Sequence, residues 1–452
     1  MGLSVEVLET GELGDRSYIA HDGEFALVVD PQRDLDRVEH RLDGLGVRIA
    51  LVAETHVHND YVTGGFALAR RAGVPYLVSA GDAVAFARDP IADGDERCAG
   101  ALHLRAVASP GHTDAHLAYV VDAGGPPVAF TGGSLLYGSV GRTDLVDPAR
   151  TEELSRAQYR SAHHLADLLA DDTPVHPTHG FGSFCSAGPA TGGATSTVGA
   201  QRRCNDALLE PDEDAFVARL RAGLTPYPRY YAHMGPRNRG GPPAADLTPP
   251  EPVDAAELHR RIAAGEWVVD VRDRGEYAAE HVAGTIGIAL DGAFSPYLGW
   301  LVPWGTPVTL VGATAGQVRE AQRRLVRIGI DRPAGVAVGP PPDLAGPAEL
   351  RTFPVVGFAE LAAALDRGDG AVVLDVRRDD ERAQGAIPGS AHLPLHDLLD
   401  RLSAVPDGEL WVHCASGYRA GIAASLLARA GHHVVLVDDD YSVAVASGLA
   451  TG

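Results

Sequence analysis

The stretch Thr55-His56-Val57-His58-Asn59-Asp60-Tyr61 decides how the first half of this chain reads. It follows an apolar run, Ile49-Ala50-Leu51-Val52-Ala53, that predicts a buried strand. Alternate side chains of an extended backbone point the same way, so His56, His58 and Asp60 can converge just beyond that strand. Convergent imidazoles and a carboxylate make part of a metal site. The plainer alternative is a polar strand end whose histidines only cap loops. Three later stretches favour the metal. Ser109-Pro110-Gly111-His112-Thr113, Phe130-Thr131-Gly132-Gly133-Ser134-Leu135 and Val175-His176-Pro177-Thr178-His179-Gly180 each place polar groups at the end of an apolar run. Such loops at one edge of layered sheets are where sites are built.

Composition bounds the rest. A chain of 452 residues has room for two to four domains, and 45% hydrophobic residues spread in short runs predict a globular protein. No apolar run has the length needed to span a membrane, and the N-terminal residues lack a basic and an apolar region, so a cytoplasmic protein with no membrane partner is expected. The net charge of −22 argues against nucleic acid as a partner. All basic residues are arginine, which excludes an amine mechanism built on lysine and points to a GC-rich bacterial source. Cys98, Cys185, Cys204 and Cys414 form no CxxC pair, so the question is which of them is a reactive thiol.

Residues 1–245 alternate short apolar runs with helical patterns at 62–72 and 152–169, which suggests an α/β sandwich. Residues 235–252, rich in Pro, Gly and Arg, read as a linker. A repeat follows. Trp267-Val268-Val269-Asp270-Val271-Arg272 recurs as Val372-Val373-Leu374-Asp375-Val376-Arg377, and each copy predicts a small parallel α/β module. Pro-rich residues 332–347 separate the copies. Three domains are expected, at 1–245, 253–345 and 353–452.

In the last copy, Leu410-Trp411-Val412-His413 predicts a strand that runs into Cys414-Ala415-Ser416-Gly417-Tyr418-Arg419 and then into a helix. A cysteine between a strand end and a helix N-terminus faces backbone N–H donors and the positive end of the helix dipole. Arg419 adds a full charge. Both favour the thiolate, the nucleophilic form. In the middle copy Gly312 falls at the Cys414 position and Gln317 at that of Arg419, so that copy is expected to be catalytically inactive. The apolar residues 297–304 are a candidate interdomain surface.

Taken together, His-x-His-x-Asp, Pro-Gly-His-Thr, Phe-Thr-Gly and a late His-Gly resemble the metallo-β-lactamase superfamily. Gly141-Arg142-Thr143-Asp144-Leu145 and His179-Gly180-Phe181-Gly182-Ser183-Phe184-Cys185 resemble its persulfide dioxygenases, and the repeat and its cysteine loop resemble rhodanese modules. The fold this implies is an αββα metallo-β-lactamase sandwich followed by two rhodanese-like parallel α/β domains. The activity it implies is oxidation of a thiol persulfide by O2 to sulfite, at one iron(II), beside sulfur transfer through a Cys414 persulfide assisted by Arg419. The family's iron ligands fall on His56, His112 and a carboxylate position that here is Gly133. The superfamily's second-metal histidine falls on Tyr61. The remaining candidate ligands are His56, His58, His112, Asp60 and His179. Arg142, Tyr230, Tyr231 and Cys185 are candidate substrate contacts, although Arg142 can equally pair with Asp144 and Cys185 can be a small buried filler. Small sulfur compounds (a thiol persulfide, sulfite, thiosulfate) are the expected partners, and a homo-oligomer is expected. Zinc(II) with glyoxalase II-like thioester hydrolysis, or a sulfurtransferase with a degenerate metal domain, are the alternatives.

Overall fold

The computed structural model describes residues 2–188, 193–346 and 349–451; Met1 and Gly452, at the ends of the expected domains, and Pro347, at the end of the expected separator, lie outside them. The chain divides into two compact units, one reaching Asp246 and including Val326–Gly329, the other comprising Leu247–Leu325 and Ile330–Gly452.

The first unit is built on two six-stranded sheets. One takes its strands in chain order: Ser4–Thr10, Asp15–His21, Phe25–Val29, Arg48–Ala53, Tyr76–Ser79 and Asp89–Ile91. The first three are antiparallel. From Phe25–Val29 onward neighbours run parallel, and helices Asp36–Leu45 and Gly65–Ala72 supply the crossovers that parallel pairing requires. The other sheet is ordered Ser196–Thr197, Pro174–Pro177, Val128–Gly132, Leu117–Asp122, Leu102–Ala108 and Glu96–Ala99.

Strand periodicity sorts the side chains into layers. Tyr18, Leu27, Leu51 and Leu77 of the first sheet meet Leu104, Leu117, Tyr119 and Phe130 of the second in one buried cluster. The outer face of the first sheet packs on Val38, Leu42 and Leu68 of its crossover helices. The outer face of the second packs on Tyr159 and Leu165 of helix Thr151–Leu168 and on Phe216 of helix Glu213–Ala222. The order is helix, sheet, sheet, helix, which is the αββα sandwich.

The second unit contains two parallel sheets. One is ordered Ile286–Gly287, Trp267–Asp270, Val308–Gly312, Gly335–Val338. The other is ordered Val355–Val356, His433–Val437, Glu409–His413, Val372–Asp375, Ala391–His392. Asp270 pairs across to Val311 as Asp375 does to His413, which places Gly312 where the other copy has Cys414. The repeat extends to side chains. Arg272 Nη2 donates to Asp270 at 2.6 Å and to Glu280 O at 2.9 Å; Arg377 Nη2 donates to Asp375 at 2.7 Å and to Gly385 O at 2.7 Å.

Two expectations about connections are corrected. Residues 235–239, read as the start of a linker, close helix Tyr231–Arg239 despite Pro236 inside it. Residues 332–347, read as a separator, carry the edge strand Gly335–Val338 and the helix Pro341–Ala345. Proline marks a helix start there: Pro341 occupies the first turn, where its missing N–H costs nothing.

Phe130 is fully buried between the sheets, with its ring 5.3 Å from that of Tyr18. Phe130→Ala is expected to lower unfolding free energy by about 3–5 kcal/mol, read from the midpoint of chemical denaturation.

Candidate functional site

The ends of three strands of the first unit meet at Asp30, the one described non-glycine residue with a positive φ, at 51°. Its carboxylate accepts Thr55 N–H at 2.7 Å, Thr55 Oγ1 at 2.7 Å and the hydroxyl of Thr178. Its N–H donates to Ala53 O at 2.9 Å, and its own carbonyl accepts from Ser17 Oγ at 2.7 Å. Burial alone would raise the Asp30 pKa, but the neighbouring His58 and these donors outweigh it, and the carboxyl sits below its ordinary value.

Around this hub, three imidazoles present Nε2 to one point. Thr55 Oγ1 gives its only hydrogen to Asp30, so at 2.9 Å it accepts Nδ1–H of His56. His112 Nδ1–H donates to Arg142 O at 2.7 Å. His179 Nδ1–H donates to Asp15 at 2.9 Å, with Asp60 3.2 Å away. His56 and His112 therefore keep Nε2 lone pairs, and burial holds both pKa values down, that of His112 to about 3. Among the described residues, His112 Nε2 is buried without a partner. His179 Nε2 lies 3.2 Å from His56 Nε2. Although burial opposes it, the carboxylates of Asp60 and Asp15 raise the His179 pKa well above its usual value. Metal binding at Nε2 displaces the proton there. Nitrogens about 2.1 Å from one ion, in tetrahedral or octahedral arrangement, lie roughly 3.0–3.4 Å apart, which the observed spacing matches. Ligand-type atoms of His56, His112 and His179 all lie within 4.8 Å of one another. The residues fit a metal ion.

His58 and Asp60 stand beside this trio, and they group with His179 rather than with His56 and His112. His58 Nε2 is 3.0 Å from Glu54, 3.0 Å from the Tyr61 hydroxyl and 3.3 Å from Asp30. Burial would push its pKa down; Asp30 and Glu54 win and lift it to about 9. His58 Nδ1 and Asp60 Oδ1 are buried without a protein partner. Tyr61, at the superfamily's second-metal position, spends its hydroxyl on Asp30 O and His58. His116 is turned the other way, its Nε2 accepting Gly133 N–H at 2.9 Å.

The four candidate substrate contacts are all buried. The Arg142 guanidinium is engaged by Asp144 at 2.7 and 2.8 Å, by Phe184 O and by Thr225 O; what it offers the site is the carbonyl that orients His112. Burial, reinforced by Asp60, raises the Cys185 pKa well above its ordinary value, so its thiol is no thiolate nucleophile. Tyr230 and Tyr231 lie at the start of a helix. Tyr231 opens helix Tyr231–Arg239 and both rings are buried, the Tyr230 hydroxyl without a partner. Asp15, Asp30, Glu54 and Asn238 escaped the sequence reading. Asn238 Nδ2 donates to His58 O at 2.9 Å and Tyr61 O at 2.8 Å, and its Oδ1 accepts Thr63 N–H at 3.0 Å, clamping the His-x-His-x-Asp loop. The signal available was an amide just past Gly235-Pro236, in a stretch whose composition reads as linker.

In the second unit, Cys414 ends strand Glu409–His413, and helix Tyr418–Arg429 begins at Gly417, whose φ is 79°. A Cβ on Gly417 would lie 1.7 Å from Asp438 Oδ1, so both the turn and the packing require glycine. Arg419 donates to both oxygens of Glu381, at 2.5 and 2.6 Å. Cys414 is buried. Residues of the middle copy pack against this loop and against His396. Tyr418 hydroxyl donates to Ala289 O at 2.7 Å, and Trp300 stacks on His396 at 5.1 Å. Tyr297, on helix Phe294–Leu301, is half-buried and near enough to Arg419 and Cys414 for their charges to act on its hydroxyl. In that copy Gln317 Oε1 folds back onto Ala313 N–H at 2.9 Å, where Arg419 makes its ion pair.

Asn238→Ala strands two buried carbonyls and one N–H; a loss of about 3 kcal/mol in unfolding free energy is expected from denaturation curves. Tyr297→Ala is expected to speed alkylation of Cys414 about tenfold, followed by mass spectrometry, because access limits that thiol.

Comparison with known proteins follows these two sites. A rhodanese-like domain model matches residues 358–446. The chain is 30% identical over 199 residues to the human protein "Persulfide dioxygenase ETHE1, mitochondrial", an alignment covering 43% of this chain and 69% of that one. It is 36% identical over 171 residues to a hydroxyacylglutathione hydrolase of Cupriavidus taiwanensis, covering 36% of this chain and 61% of that one. A metallo-beta-lactamase structure from Staphylococcus aureus superposes with a TM-score of 0.66 at 25% identity, covering 75% of this chain and all of that one. The chain belongs to the persulfide dioxygenase family of the metallo-β-lactamase fold, and it carries a rhodanese-like domain towards its C-terminus.

Proposed function

We propose that this is a two-site sulfur enzyme. Its first site oxidises a thiol persulfide with dioxygen, and its second moves sulfane sulfur through Cys414. The observation that carries the reading is the convergence of His56, His112 and His179 on one buried point, in a chain that also holds the Cys414 loop. We assign one iron(II) to the point where His56, His112 and His179 converge, with His58 and Asp60 beside it, in preference to zinc(II). A histidine site with open positions suits iron that must meet both sulfur and dioxygen. We read residues 1–245, 253–345 and 353–452 as three domains, the middle one an inactive rhodanese-like copy.

The first reaction is R–S–SH + O2 + H2O → R–SH + SO3²⁻ + 2 H⁺. The sulfane sulfur gives up four electrons and dioxygen accepts them, so no external carrier takes part. Iron(II), when bound, supplies the redox chemistry that lets dioxygen react with the sulfur. The protein's part is placement: Thr55, the Arg142 carbonyl and Asp15 fix the three imidazoles, and burial excludes bulk water. The unpartnered Tyr230 hydroxyl offers a donor to the substrate.

In the second reaction the Cys414 thiolate attacks the outer sulfur of a persulfide. An S–S bond forms on Cys414, and R–S⁻ leaves and takes the proton. Sulfite then attacks that outer sulfur, releasing thiosulfate and the thiolate. Because Arg419 enters already paired with Glu381, the backbone N–H groups of the loop carry most of the anion binding.

The test is oxygen uptake and thiosulfate formation with a low-molecular-weight persulfide. His112→Ala should abolish oxygen uptake. Cys414→Ser should leave oxygen uptake intact and abolish thiosulfate formation from sulfite. The hydroxyacylglutathione hydrolase relative makes thioester hydrolysis the rival: zinc in the purified protein, thioester turnover and no oxygen uptake would overturn the dioxygenase reading.

A further inference from the structure

The position after Thr131-Gly132 has no room for a side chain. A Cβ on Gly133 would lie 2.3 Å from Cδ2 and 2.6 Å from Cγ of His112, closer than real side chains approach. The His112 ring fills the volume that any residue larger than glycine would need. Gly141 closes the same ring from another direction, where a Cβ would lie 2.7 Å from His112 Nδ1. The ring can swing aside only by losing the bond from its Nδ1–H to Arg142 O at 2.7 Å. Its Nε2 is left aimed, without a protein partner, at the junction of His56 and His179.

His179 completes the set from the opposite side. Its Nδ1 is taken by Asp15 at 2.9 Å and approached by Asp60 at 3.2 Å, so Nε2 is the atom it can offer, 3.2 Å from His56 Nε2. The other two candidates group with His179 but not with His56 or His112, although His58 Nδ1 and Asp60 Oδ1 have no partner among the described residues. His58 spends Nε2 on Glu54, Tyr61 and Asp30, and Asp60 turns one oxygen to the outer nitrogen of His179.

We propose that this chain holds its ion through three neutral imidazoles, His56, His112 and His179, with no carboxylate touching it. Asp15 and Asp60 supply negative charge at one remove, through the His179 ring. The inference rests on the reading of this cluster as a metal centre and names which residues make it. With no carboxylate bound, the ion keeps its full double charge and favours an anionic ligand over a neutral one.

The test reads binding rather than turnover. Metal-free full-length protein is titrated anaerobically with cobalt(II), followed by visible absorption, and with iron(II), followed by metal analysis. Far-UV circular dichroism confirms that each variant is folded. The wild-type chain should take up one ion. His112→Gln and His179→Gln, which preserve volume, should weaken binding at least about a hundredfold, and Asp60→Asn about 10–100-fold. His58→Gln should retain the ion. Gly133→Ala and Gly133→Asp should both weaken binding about tenfold or more, because each displaces the His112 ring. The three-histidine assignment is overturned if Gly133→Asp binds the ion more tightly than wild type, or if His179→Gln keeps it while His58→Gln loses it. If wild type takes up no ion of either kind, the functional reading fails as a whole. If it binds through the three histidines but consumes no oxygen with a persulfide, only the activity assignment fails.

Discussion

The first unit depends on one buried carboxylate held in a strained backbone. Asp30 ends strand Phe25–Val29 with φ at 51°, a conformation that costs a non-glycine residue on the order of 1–3 kcal/mol. The compensation is geometric. One side chain and its own peptide groups bind Ser17, the Ala53–Thr55 strand end and Thr178, so three segments are tied to Asp30 at one edge of the sandwich. Everything the metal cluster needs is downstream of that registration. Thr55 fixes the tautomer of His56, and Thr178 immediately precedes His179. A carboxylate this buried is stable only while its donors remain in place, so hub and cluster order together.

The sequence discloses what is local and hides what is distant. The His-x-His-x-Asp stretch reads as a site because its spacing and its preceding apolar run are adjacent. Cys414 reads as a nucleophile because strand, loop and helix follow one another directly. The sandwich follows from apolar runs and crossover helices. None of this reveals Asp15, whose partner His179 is 164 residues away, or Asn238, 180 residues from His58. Hydrogen bonds of that span depend on the finished topology, and no periodicity announces them. The error at residues 235–239 has the same origin: Gly235 and Pro236 signal a break, and tertiary bonds from Asn238 hold the helix regardless. The Pro-rich stretch before Pro347 misleads in reverse, because proline there begins a helix.

Gly133 shows where reading single positions stops. In the sequence it is a missing carboxylate, and it argues for a damaged site. In space it is the clearance that lets His112 stand where it does. A departure at one position and the placement of another residue are two descriptions of a single packing solution, because protein interiors leave no room to treat them separately.

The two copies in the second unit keep the same Asp–Arg pair while only one keeps cysteine. The middle copy packs against the one that bears cysteine. Its Ala289 carbonyl receives the Tyr418 hydroxyl, and its helix Phe294–Leu301 brings Tyr297 to the neighbourhood of Cys414. A duplicated module that has lost its own nucleophile is normally free to drift or be deleted. Here deletion would strip the cysteine-bearing copy of packing at Tyr418 and His396. The residues expected to resist change in residues 253–345 are then those that touch the neighbour, not those around the vacated loop at Gly312.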